Sequence, residues 1–227
     1  MFVITIDQRG SRRGSDLVPA LLADLGDLLA RTPPVLPFVR TVGDEVQGVL
    51  ADPDVVVDLV LHVVRRGGWS IGVGAGEGSL AQSAPASAGA AFVHARDAVE
   101  RAKGRTVSNS LAVAGDSPDA ALAEGVLQLL ASVVVRRTET QWRAIDELSR
   151  PGATGVQVAK DLGVSPQNVS KLRRDALWQE ERDARAAASR LLGLADATSD
   201  ATSDTSATSA TSATSAPVSD PAGRIEA

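Results

Sequence analysis

"VLPFVRTVGDEVQGVLA", residues Val35 to Ala51, is two short apolar runs divided by the tight polar turn Gly43-Asp44-Glu45. Val-, Leu- and Phe-rich runs around a glycine-containing turn predict a β-hairpin. Upstream, "SDLVPALLADLGDLLAR" (Ser15–Arg31) places Leu17, Leu21, Leu22, Leu25, Leu28 and Leu29 at helical spacing behind Ser15 as N-cap, and "MFVITI" before Asp7 predicts a strand. Downstream, "DPDVVVDLVLHVVRRGG" predicts a helix opened by Asp52-Pro53 and closed by Gly67. "WSIGVGAGE" predicts a strand, "SAGAAFVHARDAVERAKG" a helix, and "TVSNSLAV" (Thr106–Val113) a last strand. The order is β-α-β-β-α-β-α-β. Two crossovers flanking a central hairpin predict a split-βαβ, ferredoxin-like domain over residues 1–116.

Beyond it the predicted organisation changes, and the expected fold class is α+β. "SPDAALAEGVLQLLASVVVRR" (117–137), with Ser117 as N-cap and Pro118 at the first helical position, predicts a connecting helix. Residues 138–192 predict a small all-α helix-turn-helix domain. Residues 193–227 are largely an Ala-Thr-Ser repeat with almost no large apolar side chain, expected to be disordered.

The charge distribution follows this division. The chain of 227 residues carries a net charge of −5, yet residues 136–178 hold 8 basic against 5 acidic side chains. The flanking segments are both acidic in balance, so contact with a polyanion is confined to this one stretch. In "ATGVQVAKDLGVSPQNVSKLRRDALW" (Ala153–Trp178), Ala159 is the small residue where two helices cross and Gly163 the turn. Val158, Leu162, Val164, Val169 and Leu172 point inward. Trp142, Ile145 and Leu148 of "TQWRAIDEL" supply the first helix of a trihelical core. Ser165 caps the second helix, with Pro166 at its first position.

The outward face is then Gln167, Asn168, Ser170, Lys171, Arg173 and Arg174, with Ser165 at its start. Gln167, Asn168 and Lys171 suit base edges, and Arg173, Arg174 and Ser170 suit phosphates. Double-stranded DNA is the expected partner, and dimerisation is expected because an acidic remainder weakens single-site affinity. A helical hairpin used for packing alone has the same inward pattern.

The absence of cysteine excludes disulfide and thiolate-metal chemistry, and two histidines are too few for a histidine metal cluster. Asp7, Asp44 and Glu45 are the carboxylates that a split-βαβ sheet would bring together, and they could hold Mg²⁺ or Mn²⁺ with a nucleotide. The same residues are equally good turn formers, no cofactor is required, and no catalytic residue is assigned. Glycines 72, 74, 76 and 78, spaced by two, match no phosphate loop and predict close backbone approach in the sheet. His62 reads as a packing residue, whereas His94 and Arg96 could pair with Glu77 or a phosphate. The basic loop Arg9, Ser11, Arg12, Arg13 could meet phosphates or be solvated surface. No signal-peptide pattern and no run of about 18 apolar residues is read, so a soluble, cytoplasmic protein is expected.

The run Val42-Gly43-Asp44-Glu45-Val46 resembles the metal-binding signature of diguanylate cyclases, lacking its first glycine and its aromatic residue. As a set, "ITIDQRGSR" (4–12), "GDEVQGVL" (43–50), "WSIGVGAGE" (69–77), "GAAFVHAR" (89–96) and the helix-turn-helix resemble the bacterial SatD family over about residues 1–178. That resemblance implies a cyclase-like sensor, or a vestigial catalytic domain, joined to a DNA-binding element. Two functions are open on these grounds: a DNA-binding regulator whose first domain senses a ligand or mediates association, and a divalent-metal-dependent, nucleotide-binding or cyclase-like enzyme tethered to DNA.

Overall fold

The computed structural model describes the backbone of residues 1–11, 14–104 and 107–208, and side chains as far as 197. Five strands, β1 (Phe2–Gln8), β2 (Leu36–Arg40), β3 (Glu45–Leu50), β4 (Trp69–Ala75) and β5 (Leu111–Ala114), form one mixed sheet in the order β2-β3-β1-β4-β5. All neighbouring pairs are antiparallel except β4 and β5, which run parallel. Between the strands lie α1 (Val18–Leu28), α2 (Pro53–Arg66) and α3 (Ala90–Lys103). Then come α4 (Pro118–Arg136), α5 (Glu139–Leu148), α6 (Gly155–Leu162), α7 (Pro166–Asp175) and α8 (Trp178–Thr208). The element order through β5 is the one the apolar periodicity predicts.

Alternation along β1 sends Phe2, Ile4 and Ile6 to one face, where they join α1, α2, α4 and α8 in the main core. Val3 turns the other way, toward Ala91, Phe92 and Ala95 of α3. α3 lies almost on the backbone of β4. A Cβ on Gly72 would stand 2.3 Å from the Val99 nitrogen, and one on Gly74 would stand 2.1 Å from the Ala91 oxygen. Gly72 and Gly74 therefore let α3 approach the strand, while Gly76 takes a φ of 143°.

The caps at Asp52 and Ser117 form as expected, accepting from the amides of Asp54 and Asp119. Ser15 does not cap α1. The Leu17 amide donates to Gln8 Oε1 at 2.9 Å and the Val18 amide to Asp16 Oδ1 at 3.0 Å. The helix starts later, and a side chain reaching over from the sheet does part of the work.

The C-terminal organisation differs from the sequence reading. α8 lies across α2 and α4, with Ala188, Leu192 and Ala195 fully buried in the main core. A small apolar residue every three or four positions makes a narrow stripe that fits the groove between two helices. The helix thus belongs to the sheet's own core rather than to a separate 138–192 domain. It continues through residues 193–208, where disorder was expected. Residues 209–227 of the repeat lie outside the described residues, as do Arg12 and Arg13 of the basic loop and Thr106 of the last predicted strand.

α4, at 19 residues, is long and apolar enough to cross a membrane by length and composition. Its inner face, however, with Ala123, Leu127 and Ala131 at 0 % exposure, packs as a core helix.

Candidate nucleic-acid interface

The positive segment folds as three short helices, each with a distinct reason for its ends. α5 opens with a reciprocal capping box between Thr138 and Gln141. α6 is capped by the Thr154 hydroxyl and closes at Gly163, whose φ of 67° and ψ of 33° are left-handed. That geometry disfavours any side chain and explains the glycine. Ser165 caps α7 by accepting from the Asn168 amide at 3.2 Å, and Pro166 occupies the first turn.

Val158, Ala159 and Val169 form a small buried cluster, with Leu148, Ala153, Leu162 and Val164 packed around it. Ser165, Gln167, Asn168, Ser170, Lys171, Arg173 and Arg174 are all exposed. At 3.6 residues per turn Gln167, Asn168, Ser170, Lys171 and Arg174 turn away from Val169, whereas Ser165 and Arg173, four positions before and after it, flank it on its own side. Lys171 pairs with Asp175 at 2.9 Å, an exposed i,i+4 contact of a few tenths of a kcal/mol that a stronger anion can displace. Arg173 and Arg174 make no ion pair among the described residues. The geometry therefore offers amide, hydroxyl, ammonium and guanidinium donors on the exposed surface of α7.

Trp142 does not join this small cluster. It packs on the main core instead, with the Arg65 guanidinium 3.8 Å from its ring centre and that of Arg137 at 4.8 Å. Arg65 also forms two 2.7 Å bonds to Asp146. Arg137, the residue between α4 and α5, is buried with Glu181, its Nη1 lying 2.5 Å from a carboxylate oxygen. Its Nε donates to the Ala176 carbonyl at 2.9 Å. Arg137 thus ties the end of α7 to α4 and α8. The sequence reading missed this pair because its members stand 44 positions apart with no motif between them.

The carboxylates at the far end of the sheet are differently placed. Asp7 of β1 stands directly opposite Glu45 of β3 in the strand register, and the Gln8 amide donates to the Asp44 carbonyl at 3.3 Å. Lys103 Nζ, from the last turn of α3, lies 3.0 Å from Asp7 Oδ2 and 2.8 Å from Glu100 Oε1. Glu45 Oε1 accepts from the Thr41 hydroxyl at 2.7 Å.

Burial pushes the Asp7 carboxyl above the ordinary aspartate range, and the Asp44 and Glu100 charges add to it, while Lys103 acts against them. Burial also works against the charge on Lys103, but its bonds to Glu100 and Asp7 outweigh that and hold its pKa above the usual value. A divalent ion would have to displace this ammonium, and among the described residues no cluster of three or more metal-ligating side chains occurs.

Of the remaining candidates, His62 Nε2 lies 2.5 Å from Asp24, which Arg66 also contacts at 2.7 Å. His94 engages the Ala75 carbonyl at 2.9 Å and Asp116 at 3.3 Å. Arg9 donates to the Ser110 hydroxyl at 3.0 Å. No family model, no curated protein and no solved structure matches the chain, and its likeness to SatD proteins stands on the quoted motifs alone.

Proposed function

We propose that the chain is a DNA-binding protein of the helix-turn-helix type, acting as a transcriptional regulator, with α6 and α7 as the two helices of the motif. The observation that carries this reading is α7, where seven donor-bearing residues are exposed in the one segment of positive balance, five of them (Gln167, Asn168, Ser170, Lys171 and Arg174) turned away from buried Val169. Gln167, Asn168 and Lys171 read base edges in the major groove, while Ser165, Ser170, Arg173 and Arg174 hold phosphates. The N-terminal sheet, whose first four strands follow the order of a ferredoxin-like split βαβ, serves as a sensing or association domain of cyclase-palm descent, as in the SatD resemblance.

Fluorescence anisotropy with labelled genomic fragments at stated salt tests this. Arg173→Ala/Arg174→Ala should weaken binding at least about tenfold and reduce the slope of log affinity against log salt by about 1 for each phosphate that is no longer neutralised. Equal binding by wild type and variant overturns the reading.

A second reading is nucleotide binding at Asp7, Asp44 and Glu45 with Mg²⁺ or Mn²⁺. One observation favours it: Asp7 stands directly opposite Glu45 in the register of β1 and β3, with Asp44 next in the chain. Lys103, 3.0 Å from Asp7 Oδ2, would have to give way for an ion to bind there. Calorimetry with ATP or GTP and Mg²⁺, on wild type and Asp44→Asn, decides it, and heats that do not depend on Asp44 remove it.

A further inference from the structure

α4 buries one face and leaves another bare. Leu122 is 57 % exposed and Leu129 71 %, with Val126 and Val133 half-buried beside them. The spacing 122, 126, 129, 133 alternates four and three residues, which is the seam of a paired helix rather than a scatter of surface apolar groups. Ala121 and Gly125, both exposed, border the seam, and a Cβ on Gly125 would meet nothing within 4 Å, so a second helix can approach closely. At the C-terminal end the seam continues into a cleft of about 300 Å³ lined in part by Leu129, Val133 and Leu177. Leu177 itself is 44 % exposed and held at a φ of 50°.

We infer that this seam is occupied by the same seam of a second copy of the chain, the two α4 helices running antiparallel. Charge selects the direction. The seam has Asp119 at its N-terminal end and Arg136, exposed and in no ion pair among the described residues, at its C-terminal end. An antiparallel pair centred between Val126 and Leu129 sets Leu122 against Val133, and Asp119 against the partner's Arg136, twice by symmetry. A parallel pair would instead bring like charges together at both ends.

The consequence for DNA rests on the proposed function. Nineteen residues at about 1.5 Å each make α4 roughly 28 Å long. Antiparallel pairing therefore holds the two exits toward α5 at about that separation, near the roughly 34 Å between half-sites one turn apart. The association itself does not depend on DNA.

The test measures the full chain without DNA. Light scattering or sedimentation at micromolar concentration should give twice the 23.4 kDa chain mass, and Leu129→Glu should halve it with the helical circular dichroism unchanged. Because the chain has no cysteine, single cysteines report the direction without background. A mixture of Leu122→Cys and Val133→Cys chains should cross-link to each other, and Leu122→Cys alone should not. A monomeric wild type, a dimer indifferent to Leu129→Glu, or self-cross-linking at 122 each overturns the proposal, and so does a monomer that co-sediments with anionic phospholipid vesicles. A dimer that fails to bind DNA would sink the functional reading and leave this one standing.

Discussion

Asp24 and Asp7 are two half-buried aspartates with opposite balances. Burial raises both, but at Asp24 the bonds and charges of His62 and Arg66 outweigh it, and the folded pKa lies below the ordinary 3.8. Folding therefore favours ionised Asp24; that stability is present above the unfolded value and is lost as pH falls through the folded one. At Asp7 burial wins, so folding disfavours the ionised form and its contribution improves as pH falls. Thermal melts should separate them. Asp24→Asn lowers the Tm at pH 7, with the difference closing as the solution is taken below the usual aspartate range. Asp7→Asn leaves the pH 7 Tm unchanged or higher, since Lys103 keeps Glu100. A clear fall in the Asp7→Asn melt contradicts the dominance of burial at this site.

At the scale of elements, the contact between α3 and β4 is the tightest, and its tolerance is predictable from where a methyl group would go. Gly74→Ala drives a Cβ to 2.1 Å from one α3 backbone atom and 2.3 Å from another, and neither can step aside alone. The expected cost is at least about 3 kcal/mol, the upper end of overpacking penalties. Gly26→Ala, inside α1 with nothing within 4 Å, is the contrast: it should stabilise by about 0.5–1 kcal/mol through helix propensity and unfolded-state entropy. Urea denaturation reads both, and similar shifts would mean that the helix rides on the strand less closely than these distances require. Gly163→Ala belongs between them, because its left-handed φ costs a side chain about 1–2 kcal/mol even in open space. The glycine pattern itself was legible in the sequence as close approach. Which helix approached was not, because glycine spacing names the strand but not its partner.

For the whole molecule, α8 is the element that makes one body of the sheet and the three short helices. It fills the main core with Ala188, Leu192 and Ala195 and supplies Glu181 to buried Arg137. A chain ended after Leu177 should lose its cooperative melting transition, because a core face is opened and a buried guanidinium loses its carboxylate. A chain ended after residue 197 should keep it. If the shorter chain melts as sharply as the full one, α8 is an appendage rather than part of the core.

Local and periodic features were determined by sequence alone: the order of strands and helices, the caps at Asp52, Ser117 and Ser165, the left-handed turn at Gly163, and the exposed face of α7. Each depends on residues within one or two turns of one another, which is the range over which side-chain chemistry and backbone geometry are written together. The tertiary structure decided what lies across long stretches of chain. Lys103 sits on Asp7, Arg137 is buried with Glu181, Trp142 packs on the main core rather than in the small cluster of α6 and α7, and α8 carries order past the expected boundary at 192. Such pairings follow from which apolar faces find one another in the collapsed chain. A carboxylate reads the same in sequence whether a lysine 96 positions away has reached it or not.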